Sequence, residues 1–429
     1  MRRPAYPPSE TQDVRIERIG ADGDGIASAA DGTPIYIPYT LPGERVLARV
    51  RGRRGVAEAI VAPSPVRVMP PCAHFGTCGG CALQHWHEDE YRAWKVSLLE
   101  GALRRAGFAD PALRPVVRSE RGSRRRIVLA ITRTDGAVRL GLHRARSAEI
   151  TEITGCTVLH PAIEALIAPL EAVLSRARFL RRHGAAVINL LDDGPDLLLS
   201  TDDEPDAADR VALTGLARTH GIVRIAWARG KGVPEPVCTL RRPVITLGGV
   251  KVISPPGAFL QASSDGERAI VAASLEGLPE RLAARGRIVE LYAGCGTLTF
   301  PLAQRARILA YEAEATAVEA LQAAVDANGL AGRIVVNRRD LVRQPLTTKE
   351  LANAAAVVLD PPYAGAALQM AALAAAGPRR IIYVSCNPAA LARDARLLGE
   401  SGYRLVAATP IDQFLFSARL ESVSVFGRD

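Results

Sequence analysis

The last third of the chain has one dominant rhythm. From about Arg285 to Phe426, short apolar runs alternate with helical segments, and most runs end in a residue with chemistry to offer. Ile288–Tyr292 leads into Ala293-Gly294-Cys295-Gly296-Thr297, and Ile308–Tyr311 ends at Glu312. Arg333–Asn337 reaches Asp340, Ala355–Leu359 reaches Asp360-Pro361-Pro362-Tyr363, and Arg380–Ser385 reaches Cys386. Tyr403–Thr409 and Leu420–Phe426 close the series. Near-continuous apolar runs are strands buried on both faces, and intervening helices are their crossovers. The pattern predicts a parallel, doubly wound α/β sheet with a late antiparallel strand. Such sheets bind ligands beyond the carboxyl ends of their strands, where these residues fall.

Each strand end can be read for its chemistry. In Tyr383-Val384-Ser385-Cys386-Asn387-Pro388, Pro388 stops the ladder and leaves the Cys386 thiol at the end of a strand. Gly294-x-Gly296 lets backbone approach a ligand closely, but the third glycine of a dinucleotide fingerprint is missing. Glu312 follows at about the spacing of a ribose-binding acid. With Asp360-Pro361-Pro362 these features favour S-adenosylmethionine over a nicotinamide cofactor. Asp360-Pro361-Pro362-Tyr363 alone would suit methylation of an exocyclic amine, which needs no cysteine. A cysteine on the next strand suggests another reaction. Carbon 5 of a pyrimidine is a poor nucleophile until a thiolate adds at C6, which is covalent catalysis. A base must then remove the C5 proton. Glu421 is the only carboxylate in Phe416–Phe426 and is the candidate.

The remainder supplies context. The 429 residues carry a net charge of +9, which suits a polyanionic partner. No apolar run reaches the roughly 18 residues of a membrane span, and the start lacks a secretory apolar core, so a cytoplasmic, reduced protein is expected. Thr11 to Met69 reads as short strands broken by glycines, an OB-like RNA-binding barrel with a basic side at Arg45, Arg49, Arg51, Arg53 and Arg54. Cys72, Cys78 and Cys81 stand within ten residues and imply zinc or an iron–sulfur cluster, with His74 or the distant Cys156 as fourth ligand. Residues 88–107 predict an amphipathic helix. The arginine run 118–126 abuts a strand and suggests phosphate contacts by Arg124, Arg125 and Arg126. Residues 127–250 alternate strand-like and helical segments, with one helix expected over Pro161–Leu180.

These motifs together resemble the RNA uracil-5-methyltransferase family, specifically members with an N-terminal TRAM domain and a [4Fe–4S] cluster. The likeness runs from about Thr11 to Phe426. It implies a TRAM barrel over 11–69 after a disordered arm at 1–10, and a central α+β domain with the cluster from 70–87 and 117–257. A Rossmann-like class I methyltransferase domain is implied from 88–116 and 258–429. Cys72, Cys78, Cys81 and Cys156 match the cluster ligands. Gln261, Tyr292, Gly294, Gly296, Glu312, Asp340 and Asp360 match the S-adenosylmethionine side, while Phe259 and Asp360 face the target base. Cys386 matches the nucleophile and Glu421 the base. The implied partner is a structured RNA, ribosomal 23S first and transfer RNA second, bound by a monomer. The departures are local. Tyr363 stands where the family usually has Arg, Ser263 where it has Asn, and Phe414-Leu415-Phe416-Ser417-Ala418-Arg419-Leu420-Glu421 lacks the family's Pro and His. An exocyclic-amine methyltransferase and a non-catalytic RNA-binding iron–sulfur protein are the alternatives these departures leave open.

Overall fold

The computed structural model describes residues 10–282 and 286–428. All but Glu10 of the arm expected at 1–10 lies outside them. The eight-stranded sheet organises the fold. Its strands run in the order Ile334–Arg338, Arg307–Glu312, Arg287–Leu291, Ala354–Leu359, Arg380–Ser385, Glu421–Gly427, Arg404–Asp412 and Val117–Arg118. The first five are parallel, and Glu421–Gly427 is antiparallel to both neighbours. Order reverses between Arg287–Leu291 and Ala354–Leu359, which opens a crevice at their carboxyl ends. Ala354–Leu359 and Arg380–Ser385 are apolar nearly throughout because helices cover both faces.

The edge strand Val117–Arg118 was not legible as a strand. It pairs with Ile411 and Asp412, far along the chain. It follows the helix Glu88–Arg105, whose Leu99 and Leu103 join the core under this sheet together with Leu391 and Leu398. The helix has its acids first and its arginines last, as the macrodipole favours. Its buried face also carries Lys95, fully inaccessible to solvent.

Two further sheets precede. Six strands between Glu10 and Ala62 form a small sheet with its own core of Val14, Ile16, Ile35, Ile37, Val46 and Val50. Seven strands between Arg126 and Thr239 form the middle sheet. The helix expected over Pro161–Leu180 is two helices, Pro161–Glu164 and Ile167–Arg176. Leu166, 3 % exposed, is drawn into the core at the break.

Candidate active site

A cavity of about 570 Å³ opens at the carboxyl ends of the parallel strands. One end is the glycine turn with Glu312 and Asp340; the other holds Asp360, Cys386 and Glu421. Phe259, Gln261, Tyr292, Arg124 and Arg126 also line it. Most of the expected site residues, scattered over some 300 positions, thus share one space.

The glycine turn splits its work between two residues. Gly294 has φ +57° and open space where a Cβ would stand, so its backbone faces the cavity. Gly296 does something else. A Cβ there would lie 2.5 Å from Phe300 Cε2 and 2.8 Å from Leu321 Cδ1. Packing of the following helices therefore requires that position 296 carry no side chain. Tyr292, entering the turn, holds φ +64°, a sparsely populated region for a side-chain-bearing residue. The Glu312 carboxylate fastens the turn. Its Oε2 accepts from the Gly294 N–H at 2.8 Å, and its Oε1 from the N–H groups of Ala313 and Glu314 at 2.7 and 2.8 Å. Asp340 Oδ1 accepts from the N–H groups of Val342 and Arg343.

The opposite end collects carboxylates around a thiol. Burial pushes the Cys386 thiol up to about 12, and the charges of Glu421 and Asp360 push the same way; Arg419 opposes them. Burial raises Asp360 to about 7 against the hydrogen bond from Gln261. Glu421 is raised by burial and then by the Asp360 charge, with Gln413 and the Ser422 N–H pulling down. The Arg419 guanidinium lies 4.2 Å from the centre of the Tyr363 ring. Asn387 Nδ2 donates to the Tyr363 carbonyl at 2.9 Å, tying that loop to the cysteine's own. Glu290, beneath the glycine turn, is raised to about 8 by burial.

The segment before Glu421 lacks the family's Pro and His but is held by other means. Lys95 Nζ donates to Asp412 Oδ1 at 2.8 Å, to the Phe414 carbonyl at 3.3 Å and to the Arg419 carbonyl. Tyr91 OH donates to Asp412 Oδ2 at 2.9 Å and accepts from the Phe416 N–H at 2.9 Å. The Phe416 carbonyl accepts from the N–H groups of Ala82 and Leu83, just after Cys81. Phe416 holds φ +59° inside this bracket. Neither Lys95 nor Gln413 was legible as a site residue.

The arginine run differs from expectation. Arg125 is 8 % exposed and donates to Glu267 at 2.5 Å and to the Gln261 carbonyl at 3.2 Å. It is an internal tie, and it does not line the cavity. Burial lowers Arg124, which stands close enough to Cys81 and Cys156 for their charges to act on it. Arg126 stacks over the exposed Phe259 ring, 5.4 Å from its centre. The partners of Arg125 and Arg126 lie well over a hundred residues downstream, which is why the sequence suggests phosphate contacts instead.

Among the described residues, no group of three or more His, Cys, Asp or Glu side chains is arranged to hold a metal ion. The four candidate cysteines are nonetheless neighbours. Burial raises Cys81 to about 12, and the charges of Cys156, Cys78 and Cys72 each add to it. His74 is engaged elsewhere, its Nε2 within 3.1 Å of the Thr154 backbone N–H.

Comparison with known proteins agrees with this arrangement. The tRNA (uracil-5-)-methyltransferase family profile matches residues 257–428, and the TRAM domain profile matches residues 8–61. An uncharacterized RNA methyltransferase of Caulobacter vibrioides is 39% identical over 97% of this chain and 100% of its own. The 23S rRNA (uracil(1939)-C(5))-methyltransferase RlmD of Aeromonas salmonicida is 31% identical over 92% of each chain. The fold is similar to that of the Pyrococcus abyssi tRNA (uracil-54, C5)-methyltransferase, solved with S-adenosyl-L-homocysteine. The TM-score is 0.72 at 22% identity, covering 97% of this chain and 100% of that one. With the profile, the full-length relatives and the shared cavity in agreement, the chain belongs to the RNA uracil-5-methyltransferase family, in a form that carries a TRAM domain.

Proposed function

We propose that this enzyme methylates C5 of a uridine in structured RNA, with 23S ribosomal RNA as substrate and S-adenosylmethionine as donor. The observation that carries the reading is the single cavity with a glycine turn and Glu312 at one end and Cys386, Asp360 and Glu421 at the other. The volume suits a nucleoside-sized ligand. Bound S-adenosylmethionine would supply an electrophilic methyl group. Gln261, Glu312 and Asp340 would hold it, with Gly294 giving its backbone room. Phe259, stacked under Arg126, would meet an extruded base, as RNA recognition favours unstacked bases on aromatic rings.

The chemistry then falls to this chain's side chains. Once the Cys386 thiol has lost its proton, the thiolate adds to C6, and the displaced C5=C6 electron pair makes C5 nucleophilic. Asp360 and Arg419 flank the thiol and set the charge around it. C5 takes the methyl group. Glu421 removes the C5 proton, the C5–C6 double bond re-forms and the sulfur leaves. Burial raises Glu421, which makes its ionised form a stronger base than an exposed carboxylate. The choice of ribosomal RNA rests on the curated relative matched along nearly its whole length. Transfer RNA is the second candidate.

The Cys72, Cys78, Cys81 and Cys156 set would hold a [4Fe–4S] cluster, since the charges of the other three act on Cys81 and Arg124 stands near Cys81 and Cys156 as a counter-charge. The cluster would supply a structural cross-link between two distant segments. Iron and sulfide content of anaerobically purified protein tests this; zinc without iron would overturn it.

The main test uses RNA with 5-fluorouridine at the target. The C5 fluorine cannot leave as a proton, so a Cys386-linked methylated adduct should accumulate. Its absence with active enzyme would sink the covalent mechanism. Loss of 5-methyluridine from 23S RNA in cells lacking the chain would identify the substrate.

A further inference from the structure

We infer that Gln413 is the positioning residue for proton removal. Its amide occupies one oxygen of Glu421 and leaves the other, Oε1, as the atom that takes the C5 proton. The inference rests on the reading of Glu421 as the base.

The orientation of Gln413 follows from one backbone group. Gln413 is 4 % exposed, and its Oε1 lies 3.1 Å from the Ala262 N–H. A backbone N–H can only donate, so the amide oxygen must face it and the NH₂ must face away. That nitrogen has two hydrogens and two acceptors, Gln261 Oε1 at 2.8 Å and Glu421 Oε2 at 2.9 Å. Because Gln261 accepts through its oxygen, its own nitrogen faces Asp360 Oδ2, at 3.2 Å. One N–H thereby fixes the direction of the whole row. At its end the two oxygens of Glu421 are no longer equivalent. Oε2 is held, whereas Oε1 is buried without a protein partner, on a residue that lines the cavity. An orphaned carboxylate oxygen is costly to bury and is expected where a substrate group completes it.

A second feature shows that space is kept for this amide. Gly266 lies in the first turn of the helix Ser264–Glu276. A Cβ at Gly266 would stand 2.6 Å from Gln413 Cβ and 2.7 Å from its Oε1. Any larger residue would push the amide out of line. In the step itself, the Oε1–H bond forms as C5–H breaks. The released pair re-forms C5=C6 and expels the Cys386 sulfur as thiolate. The Gln413 N–H on Oε2 favours the charged form of Glu421 that this step needs.

The test separates methyl transfer from elimination. Single-turnover reactions on RNA with protiated or 5-deuterated target uridine are quenched in denaturant and scored for methylated Cys386–RNA adduct. Gln413→Leu is expected to keep methyl transfer within a few-fold. It should slow adduct release by about 10²-fold and unmask a deuterium isotope effect on release. Equal slowing of both steps without adduct, or unchanged release, would overturn the inference. Gly266→Ala displaces the same amide and carries the same two outcomes should Gln413→Leu not fold. Glu421→Gln is the reference. If it accumulates no adduct, the base assignment fails; if it does and the Gln413 and Gly266 variants do not, only the inference fails.

Discussion

Three thiols in this protein are pushed up to about 12, Cys386, Cys81 and Cys295, and the first two make the contrast. Burial dominates at both, but the second influence differs. Around Cys386 it is carboxylates, Glu421 and Asp360, with Arg419 opposing. Around Cys81 it is other thiols, those of Cys156, Cys78 and Cys72. Carboxylates can exchange protons with a reacting thiol and its substrate. Thiols crowded together gain most by sharing a cation. Under the proposed function, the same perturbation would accompany chemistry at Cys386 and a structural tie at Cys81.

The largest contrast should come from removing each sulfur. Cys386→Ala is expected to abolish methylation and 5-fluorouridine adduct formation while melting temperature and bound iron stay at wild-type values. Cys81→Ala should do the reverse, losing iron and lowering the melting temperature while Cys386 still reacts with iodoacetamide. Equal loss of both properties in both variants would erase the distinction. Lys95→Met should come next. It leaves Asp412 buried without its ammonium partner, a change that costs about 3–5 kcal/mol, readable in urea denaturation. A wild-type midpoint would show that the bracket around Phe414–Arg419 is held without Lys95.

The carboxylate side of the comparison can be sharpened by pH. Asp360 is raised from 3.8 to about 7 in the folded state. Between those values the native state keeps a proton that the unfolded chain has lost, so stability falls as pH rises and the loss is complete above about 7. Asp360→Asn removes this term. Its melting temperature should exceed the wild-type value above pH 7 and converge with it near pH 4. Parallel curves would contradict the burial of that charge. The smallest effect is expected from Arg419→Ala. Arg419 lowers the Cys386 thiol, so its removal should move the alkylation pH profile upward and slow alkylation a few-fold at pH 8, with Arg419→Lys partly restoring it. An unmoved profile would show that the Tyr363–Arg419 stack does not act on the sulfur.

What the sequence disclosed follows from the range of each interaction. The strand ends at Glu312, Asp360 and Cys386 were legible because their signals are local, an apolar run stopped by a charged residue or by proline. The helix at 88–105 was legible from its period, but Lys95 looked like an ordinary surface lysine because Asp412, its partner, is 317 residues away. Arg125 misled for the same reason, with Glu267 lying 142 residues on. Gln413 gave no signal at all, since its orientation is set by a backbone N–H from another loop. Gly296 was recognised as a motif glycine, but its packing against Phe300 and Leu321 was not, because a motif names the residue and not the atoms it must avoid.

The bracket on Phe414–Arg419 also has a consequence in time. Tyr91 and Asp412 are 321 residues apart, so the helix that carries Tyr91 and Lys95 is synthesised long before the groups it must hold. At the usual pace of translation, roughly 5–20 residues per second, that interval is at least about 15 seconds. Throughout it, Lys95 has no counter-charge and the cysteine segment has no Phe416 carbonyl to accept from Ala82 and Leu83. A nascent or prematurely stopped chain thus carries a docking face with nothing yet to dock. It has its candidate nucleophile at Cys386 before its candidate base at Glu421 has been made.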